Sequence, residues 1–438
     1  MKKNISRNLV IVLSLLFIFV FILSSCDALS FRSIKSAEIN KSGELILSYT
    51  DGTYQNLGTV KGEDGKDGKD GINGKDGIDG DDGTTTIIGD SGDDSLATSK
   101  ALNSAVSVFC SFNVSTGASI TTTSSAGAGI IYKCNKETGD AYVITNYHVV
   151  YEKSSIDSQI SSDISIFLYG SEFSEMKIPA TYIGGSMNYD IAVLKITNND
   201  IIKKSDVSAV SVRSSSQIHV GESAIAVGNP EAEGISATKG IISRDSENIT
   251  ISVDGTTSVD MRVMRIDTPV NSGNSGGGLF DSNGNLIGIV NAKLKDTSVE
   301  NIGYAIPSDI VTAVAKNIIY YCDGVTCTTM QRPLLGISVS INDSYAEYDE
   351  ATGYVNIIET VIVYGVNTDS VAYGKLKVDD IIKSVTIGER TIEITRQFSL
   401  IDSLLNARIG DTILLTIERN GETKELSFTI TEDMISSY

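Results

Sequence analysis

Histidine, proline and basic charge are all scarce in this 438-residue chain, and each shortage removes a class of function. Only two histidines occur, His148 and His219, which excludes a histidine-rich metal site; no cofactor or metal is expected. The five cysteines include no Cys-x-x-Cys pair, and neither a phosphate-binding loop nor a dinucleotide fingerprint is present. Lys and Arg number 35 against 55 Asp and Glu, a net charge of -20 that offers a nucleic acid no basic patch. Five prolines are too few for a proline-rich linker protein. What is there suits a folded chain: 41% hydrophobic and 21% charged residues, with length for two or three domains.

The first residues set an address. Lys2, Lys3 and Arg7 precede an uncharged apolar run from Leu9 to Leu23, then Ser24, Ser25 and Cys26. A positive start, an apolar middle and a small-residue ending read as an export signal over residues 1–25. A helix over the apolar run would be about 22 Å long, short of a ~30 Å hydrocarbon core, so a permanent span is the weaker reading. The Leu23-Ser24-Ser25-Cys26 ending resembles the bacterial lipobox, which implies acylation of Cys26 and an extracytoplasmic, lipid-anchored protein at the cell membrane or surface. Export permits disulfides. Cys110, Cys134, Cys322 and Cys327 are then left, and the expectation is local pairing, Cys110 with Cys134 and Cys322 with Cys327. The loops would contribute about 3 and about 2 kcal/mol.

Composition shifts divide the rest. Residues 26–60 form an N-terminal segment in which 34–60 alternate apolar and polar around Asp51-Gly52, the pattern of a small β-hairpin. Residues 61–100 are expected to be stalk and linker. Within them glycine recurs at every third position from Gly62 to Gly83, the period a collagen-like triple helix demands. The tract has no proline, so a hydrated acidic spacer fits it equally. From 101 to 331 short apolar runs recur between Gly, Asn, Asp and Ser, among them Ala141–Thr145, Ile164–Leu168, Ile191–Ile196, Ser223–Val227 and Leu286–Val290. They predict an all-β barrel or sandwich, closed by a helix from Ser308 to about Tyr321. Residues 332–432 predict a third unit with strands at Leu335–Val339, Asp380–Val385 and Thr412–Glu418 and a helix over Phe398–Leu405, before a tail at 433–438.

Chemistry concentrates in Asn271-Ser272-Gly273-Asn274-Ser275-Gly276-Gly277-Gly278. A serine among glycines sits where the backbone turns sharply, and successive N–H groups there can converge on a developing oxyanion. A serine hydroxyl needs a base to take its proton. His148 ends a strand-like run and His219 precedes another. The third requirement is a carboxylate to orient the imidazole. Asp190 opens the apolar run Ile191–Ile196, and a charge at the mouth of a buried strand needs a partner.

Three blocks carry a family resemblance: Thr145-Asn146-Tyr147-His148-Val149-Val150, Asp190-Ile191-Ala192-Val193-Leu194-Lys195 and Gly273-Asn274-Ser275-Gly276-Gly277. They are similar to the active-site blocks of HtrA/Deg serine proteases and stand in that family's order. Val227-Gly228-Asn229-Pro230 and Ile302-Gly303-Tyr304-Ala305-Ile306-Pro307 agree. The resemblance implies a mainly β chain, with a chymotrypsin-like double β-barrel protease domain followed by a PDZ-like α/β domain. It implies Ser275 as nucleophile, His148 as general base and acid, Asp190 as orienting carboxylate, and Gly273, Asn274 and Ser275 as the oxyanion hole. His219 matches a non-catalytic strand entry. Gly278 and Ser272 stand where the family usually has proline, which loosens the turn. Pro269 and Val270, just before the nucleophile, would line an uncharged specificity pocket for small or medium aliphatic side chains unless Asp267 pointed inward. Pro333-Leu334-Leu335-Gly336-Ile337 resembles a PDZ carboxylate-binding loop, so Leu334, Leu335, Gly336 and Ile337 would receive peptide C-termini. The implied partners are unfolded protein or peptide substrates, the membrane through its lipid anchor, and two further copies in a homotrimer. The competing reading is a catalytically silent chaperone or adhesin that uses the same fold to bind.

Overall fold

The computed structural model describes residues 34–42, 44–59, 94–117, 119–171, 176–252, 258–291, 302–322, 327 and 329–437. The export signal, Cys26 and the Gly-x-y tract lie outside the described residues. The chain divides into two units, Met1–Thr86 and Ile87–Tyr438.

In the first unit β1 (Ile34–Ile39), β2 (Glu44–Tyr49) and β3 (Tyr54–Thr59) form an antiparallel sheet in that order. The expected hairpin around Asp51-Gly52 is therefore extended by one strand. Asn40 makes the additional turn, its Oδ1 accepting from Ser42 N–H and Glu44 N–H.

The second unit opens on α1 (Asp94–Ser104), where residues up to Lys100 were expected to be linker. Ala97 and Ala101, one helical turn apart, are buried in the core shared by the two barrels that follow. Two alanines make too small an apolar stripe to stand out from a Ser- and Asp-rich stretch, which is why the pattern read as linker.

Two closed six-stranded barrels follow. The first joins β4 (Ala105–Ser115), β5 (Ile120–Asn135), β6 (Asp140–Thr145), β7 (Asp163–Leu168), β8 (Ile178–Ser186) and β9 (Ile191–Ile196) in the order β4-β5-β6-β9-β8-β7. Short helices α2 (Tyr147–Val150) and α3 (Asp200–Lys204) interrupt and follow them. The second joins β10 (Ser223–Gly228), β11 (Ser236–Ser252), β12 (Ser258–Ile266), β13 (Gly278–Phe280), β14 (Leu286–Val290) and β15 (Gly303–Pro307) in the order β10-β11-β12-β15-β14-β13.

The continuous apolar runs in these strands have a common cause. On β9, Ala192, Leu194 and Ile196 point into the first barrel, while Ile191 and Val193 point into a second core between the barrels. On β10, Ala224 and Ala226 face the second barrel, and Ile225 and Val227 face that same shared core. A strand buried on both faces has no polar side to alternate with. Helix α4 (Ser308–Cys322) seals the shared core with Ile310, Val311, Val314 and Ile318. Ser308 hydroxyl donates to Arg213 O at 2.6 Å, and Asp309 accepts from Ser214 and Ser215 hydroxyls, tying the helix start to the second barrel.

Cys322 and Cys327 form a disulfide, whereas Cys110 and Cys134 are free. The expectation for the second pair fails on register. β4 and β5 are neighbours, but Cys110 faces Ser125, nine residues and so roughly 30 Å along the strand from Cys134. Burial pushes the Cys110 thiol up to about 12, so it sits there as a small apolar side chain.

The last domain carries β16 (Gln331–Pro333), β17 (Ile337–Asp349), β18 (Tyr354–Val366), β19 (Ile381–Ile387), β20 (Arg390–Glu393), α5 (Gln397–Leu404), β21 (Thr412–Arg419), β22 (Glu422–Thr429) and β23 (Ile435–Ser437). Its sheet runs β17-β18-β19-β21-β22, with β20 on β19, and β16 pairs with β23. Asp380, nearly fully buried, is matched by a two-point bond from Arg419 at 2.6 Å to each carboxylate oxygen. This domain is pinned to the barrels by ion pairs Arg262–Asp402 and Arg396–Asp245, and by Asn317 donating to Leu405 O at 2.9 Å.

Candidate active site

Three chain segments meet where the two barrels face each other. The first leaves β6 at Thr145, whose hydroxyl donates to Ala128 O at 2.7 Å, and turns into α2. That turn sets His148 at the barrel surface with its side chain 13% exposed. The second is the entry to β9. Asp190 has φ +49, a left-handed conformation that costs a non-glycine residue on the order of 1–2 kcal/mol. It is held there by its own N–H to Met187 O at 3.2 Å, and by Tyr147 N–H (3.1 Å) and Asn146 Nδ2 (2.8 Å) donating to its carbonyl.

The strained backbone aims the carboxylate at His148. Asp190 Oδ1 accepts from His148 N–H at 2.9 Å, and Oδ2 lies 2.7 Å from Nδ1. A carboxylate only accepts, so Nδ1 carries the proton and Nε2 is left as the acceptor in the neutral ring. A further donor reaches the same oxygen: Asn291 Nδ2, at 2.7 Å from Oδ2. Asp190 is 1% exposed, and these three donors match its charge out of water.

The third segment is the glycine-rich loop. Asn274 N–H bonds Asn271 O at 3.0 Å and Gly277 N–H bonds Asn274 O at 2.9 Å, making two successive turns with Ser275 between them. Ser275 O accepts from Ala128 N–H at 2.8 Å, and Gly276 N–H donates to Val290 O at 3.1 Å. A Cβ on Gly127 would meet both Val149, next to His148, and Ser275 O, at 2.7 and 2.9 Å. The backbones of the serine and histidine segments therefore press on one spot. Ser275 Oγ makes no hydrogen bond among the described residues, a looseness common to such sites before substrate aligns the pair.

Among the described residues neither Gly273 N–H nor Ser275 N–H donates within the protein. Both remain for an oxyanion. Asn274 does not join them as the sequence suggested, because its N–H is spent on Asn271 O. Instead Asn274 packs on Gly228, where a Cβ would lie 2.6 Å from its Oδ1. The Val227-Gly228-Asn229-Pro230 block is thus the floor under the loop, with Asn229 N–H bonded to Gly273 O at 3.3 Å. Gly278, where proline was the family habit, also has a local reason. A side chain there would collide with the fully buried Phe280 ring and Ile130.

The specificity residues separate. Val270 is buried, and Gly303 packs on it so closely that a Cβ would lie 2.9 Å away. Pro269 is exposed, its carbonyl taken by Thr238 hydroxyl at 2.7 Å. Asp267 turns outward and accepts from Ile241 N–H at 2.6 Å, so it brings no charge inward. His219 belongs elsewhere: it bonds Glu222 at 3.0 Å and stacks on Tyr354 with centroids 3.7 Å apart.

In the C-terminal domain Leu334, Leu335, Gly336 and Ile337 all line a groove of about 1050 Å³. One wall is α5 with Phe398 and Ile401, and another is the β11–β12 hairpin with Arg244 and Arg262. Leu334 N–H is spent on Met434 O at 2.9 Å, whereas Leu335 and Gly336 N–H have no acceptor among the described residues. Gly336 has φ +71, which a carboxylate-cradling turn requires. Sequence reasoning missed Asn146 and Asn291. The signal for Asn291 existed: a polar residue directly after the buried run Leu286–Val290, as Asp190 directly precedes another.

Two barrels with an oriented histidine and a serine beside open N–H groups define a trypsin-like serine protease carrying a peptide-binding domain. Residues 127–289 match the trypsin-like peptidase domain and residues 333–430 the PDZ domain. The serine protease Do-like HtrA of Lactococcus lactis subsp. cremoris is 34% identical over 314 residues, 68% of this chain and 69% of that protein. The serine protease Do-like HtrA of Bacillus subtilis is 32% identical over 329 residues, 72% of this chain and 66% of its own. The solved structure of the HtrA-type protease AlgW with tripeptide superposes with a TM-score of 0.51 at 25% identity, covering 79% of this chain and 97% of that one. The chain belongs to the HtrA family of serine proteases.

Proposed function

We propose that this serine endopeptidase works outside the cytoplasm on a lipid anchor at Cys26, cutting unfolded or misfolded proteins whose C-termini its PDZ groove receives. One observation carries the mechanism: a buried Asp190 Oδ2 2.7 Å from His148 Nδ1, which fixes Nε2 as the basic nitrogen. His148 Nε2 takes the proton as Ser275 Oγ attacks the scissile carbonyl, and Asp190 stabilises the imidazolium that forms. The carbonyl oxygen, now negative, receives the N–H groups of Gly273 and Ser275. The imidazolium then returns its proton to the leaving amine, and water repeats the cycle on the acyl-enzyme.

The buried Val270 beside Gly303, with Asp267 turned away, supports a small or medium aliphatic residue before the cut. The groove beside Leu335 and Gly336, with Phe398 and Ile401 on one wall, supports capture of a peptide that adds to the edge strand β17. AlgW is described with a tripeptide bound, which fits the same use. Purified protein should degrade unfolded casein, and Ser275→Ala should lower turnover by roughly a million-fold. Equal cleavage by both forms would leave a binding protein with a protease fold.

A further inference from the structure

We infer that the β1-β2-β3 sheet is an association surface for two further copies of this chain, and that it gathers three Gly-x-y tracts at their start, independently of the active site. Residues directly opposite in an antiparallel pair share a face. The pairs Ile39–Leu45 and Ala37–Leu47 put four apolar side chains on one face, and the pair Ile34–Tyr49 continues it. Gln55, opposite Leu47, lies on the same face and accepts from the Tyr49 hydroxyl at 2.7 Å. Leu57 follows two residues on, at the bulge opposite Leu45. The other face is mostly polar, with Ser36, Glu38, Ser48 and Asn56 around Ile46. A sheet divided in this way is patterned to have one face covered. Yet no described side chain of β1, β2 or β3 is buried: Ile34, Ile39 and Leu57 are 59%, 63% and 52% exposed, and Leu45 and Leu47 are half-buried. Below about 40 residues a chain seldom builds its own core without a crosslink, a metal or further copies. Residues 34–59 contain no cysteine and no histidine, which leaves a cover from outside the sheet.

The sequence that follows points to copies of the same sheet. Gly62 comes three residues after Thr59, and glycine then recurs at every third position to Gly83. That period has a use only where three chains meet along an axis too crowded for a side chain. The tract is poorly equipped to bring those chains together. It has no proline to hold it extended, and its three lysines face eight acids, so like-charged chains repel one another. Three apolar faces packed about a common axis supply what is lacking. They hold three chains side by side at Thr59, in one register, and keep Glu38 on the solvated side. A lipid surface could also cover the face, but it gives the glycine period no role.

Single added cysteines test which face meets its copies. In the full chain made soluble by Cys26→Ser, Ile39→Cys places a thiol on the apolar face and Glu38→Cys places one on the polar face beside it. Under mild oxidation Ile39→Cys should join chains in covalent pairs roughly tenfold more than Glu38→Cys, because packed faces raise the effective concentration of the thiol. Adding Leu47→Lys should abolish that joining, whereas Ser48→Lys, on the polar face of the same strand, should leave it intact. Sedimentation equilibrium of the Cys26→Ser form should give the mass of three chains. Association through the barrels alone looks different: the oligomer mass persists, but the two cysteines join equally or not at all, and either result would overturn the assignment. Flotation of the Cys26→Ser form with phosphatidylglycerol vesicles, with neither cysteine joining chains, would also overturn it and give the face to lipid.

Discussion

Replacing Gly276 by alanine tests how the nucleophile turn is built. Gly276 has φ +83, and a Cβ there would overlap Ala128 O and Thr145 Oγ1 and lie 3.0 Å from Asn146 N. The conformation alone costs alanine about 1 kcal/mol. The overlap is with backbone and with a buried hydroxyl already bonded to Ala128 O, not with the free end of a flexible side chain. Relieving it should cost a further ~1–3 kcal/mol. For a domain of this size the sum lowers Tm by roughly 5–10 °C. Because the obstacle lies between Ser275 and the segment leading to His148, the relief must also move Ser275, the proposed nucleophile. A displacement near 1 Å costs about a hundredfold in rate.

Gly221→Ala is the control, since Gly221 has φ +94 in the same domain but nothing within 4 Å of its would-be Cβ. It should show the conformational cost alone, a Tm loss of roughly 2–4 °C with peptidase activity kept. Thermal scanning and peptide hydrolysis of both variants read the two effects separately. If Gly276→Ala keeps wild-type kcat and melts no lower than Gly221→Ala, the reasoning about this turn is wrong.

The ion pair at the domain junction is pH-sensitive. Burial, opposed by Arg262 and helped by Asp309, pushes the Asp402 carboxyl up to about 6. The folded protein then keeps a proton that the unfolded chain releases near pH 4, so this stabilisation is complete below that and disappears as pH rises through about 6, up to ~3 kcal/mol. The Tm of Asp402→Asn relative to wild type should therefore rise between pH 4.5 and 7, and a constant difference would contradict it. Cys26→Ser should leave the protein unanchored, in the soluble rather than the membrane fraction. If the Gly-x-y tract holds three chains together, light scattering of that soluble form should give the mass of a trimer, and a monomer would remove the case for a triple helix.

The barrels were legible because their strands are buried on both sides. Ile191–Ile196 and Leu286–Val290 are strands residue for residue as their apolar runs indicate. The edges of elements were not, where small residues do the packing. Ala97 and Ala101 anchor α1 with two methyl groups, too little to mark a helix in a polar stretch. Strand adjacency was legible for β4 and β5 but register was not, so a disulfide was drawn between cysteines that face Ser125 and Ala141 instead. Nothing in either strand alone fixes which residue meets which.

The site divides along the same line. Ser275 is visible in sequence because its glycines are needed by its own turn, within a few residues. Asp190 is visible because a charge before a buried run is costly wherever its partner lies. Asn146 and Asn291 carry no such local cost, since asparagine is ordinary in loops. Their partner lies 44 residues from one and 101 from the other, and only the closed barrels bring it within reach. An amide there is nonetheless as constrained as the triad. A donor aimed at a carboxylate 1% exposed has no water to replace it, so its loss falls on the one bond that decides which imidazole nitrogen is basic. The proposed chemistry of this site thus leans on residues whose local sequence says nothing of it, and they are found by asking what satisfies the buried acid.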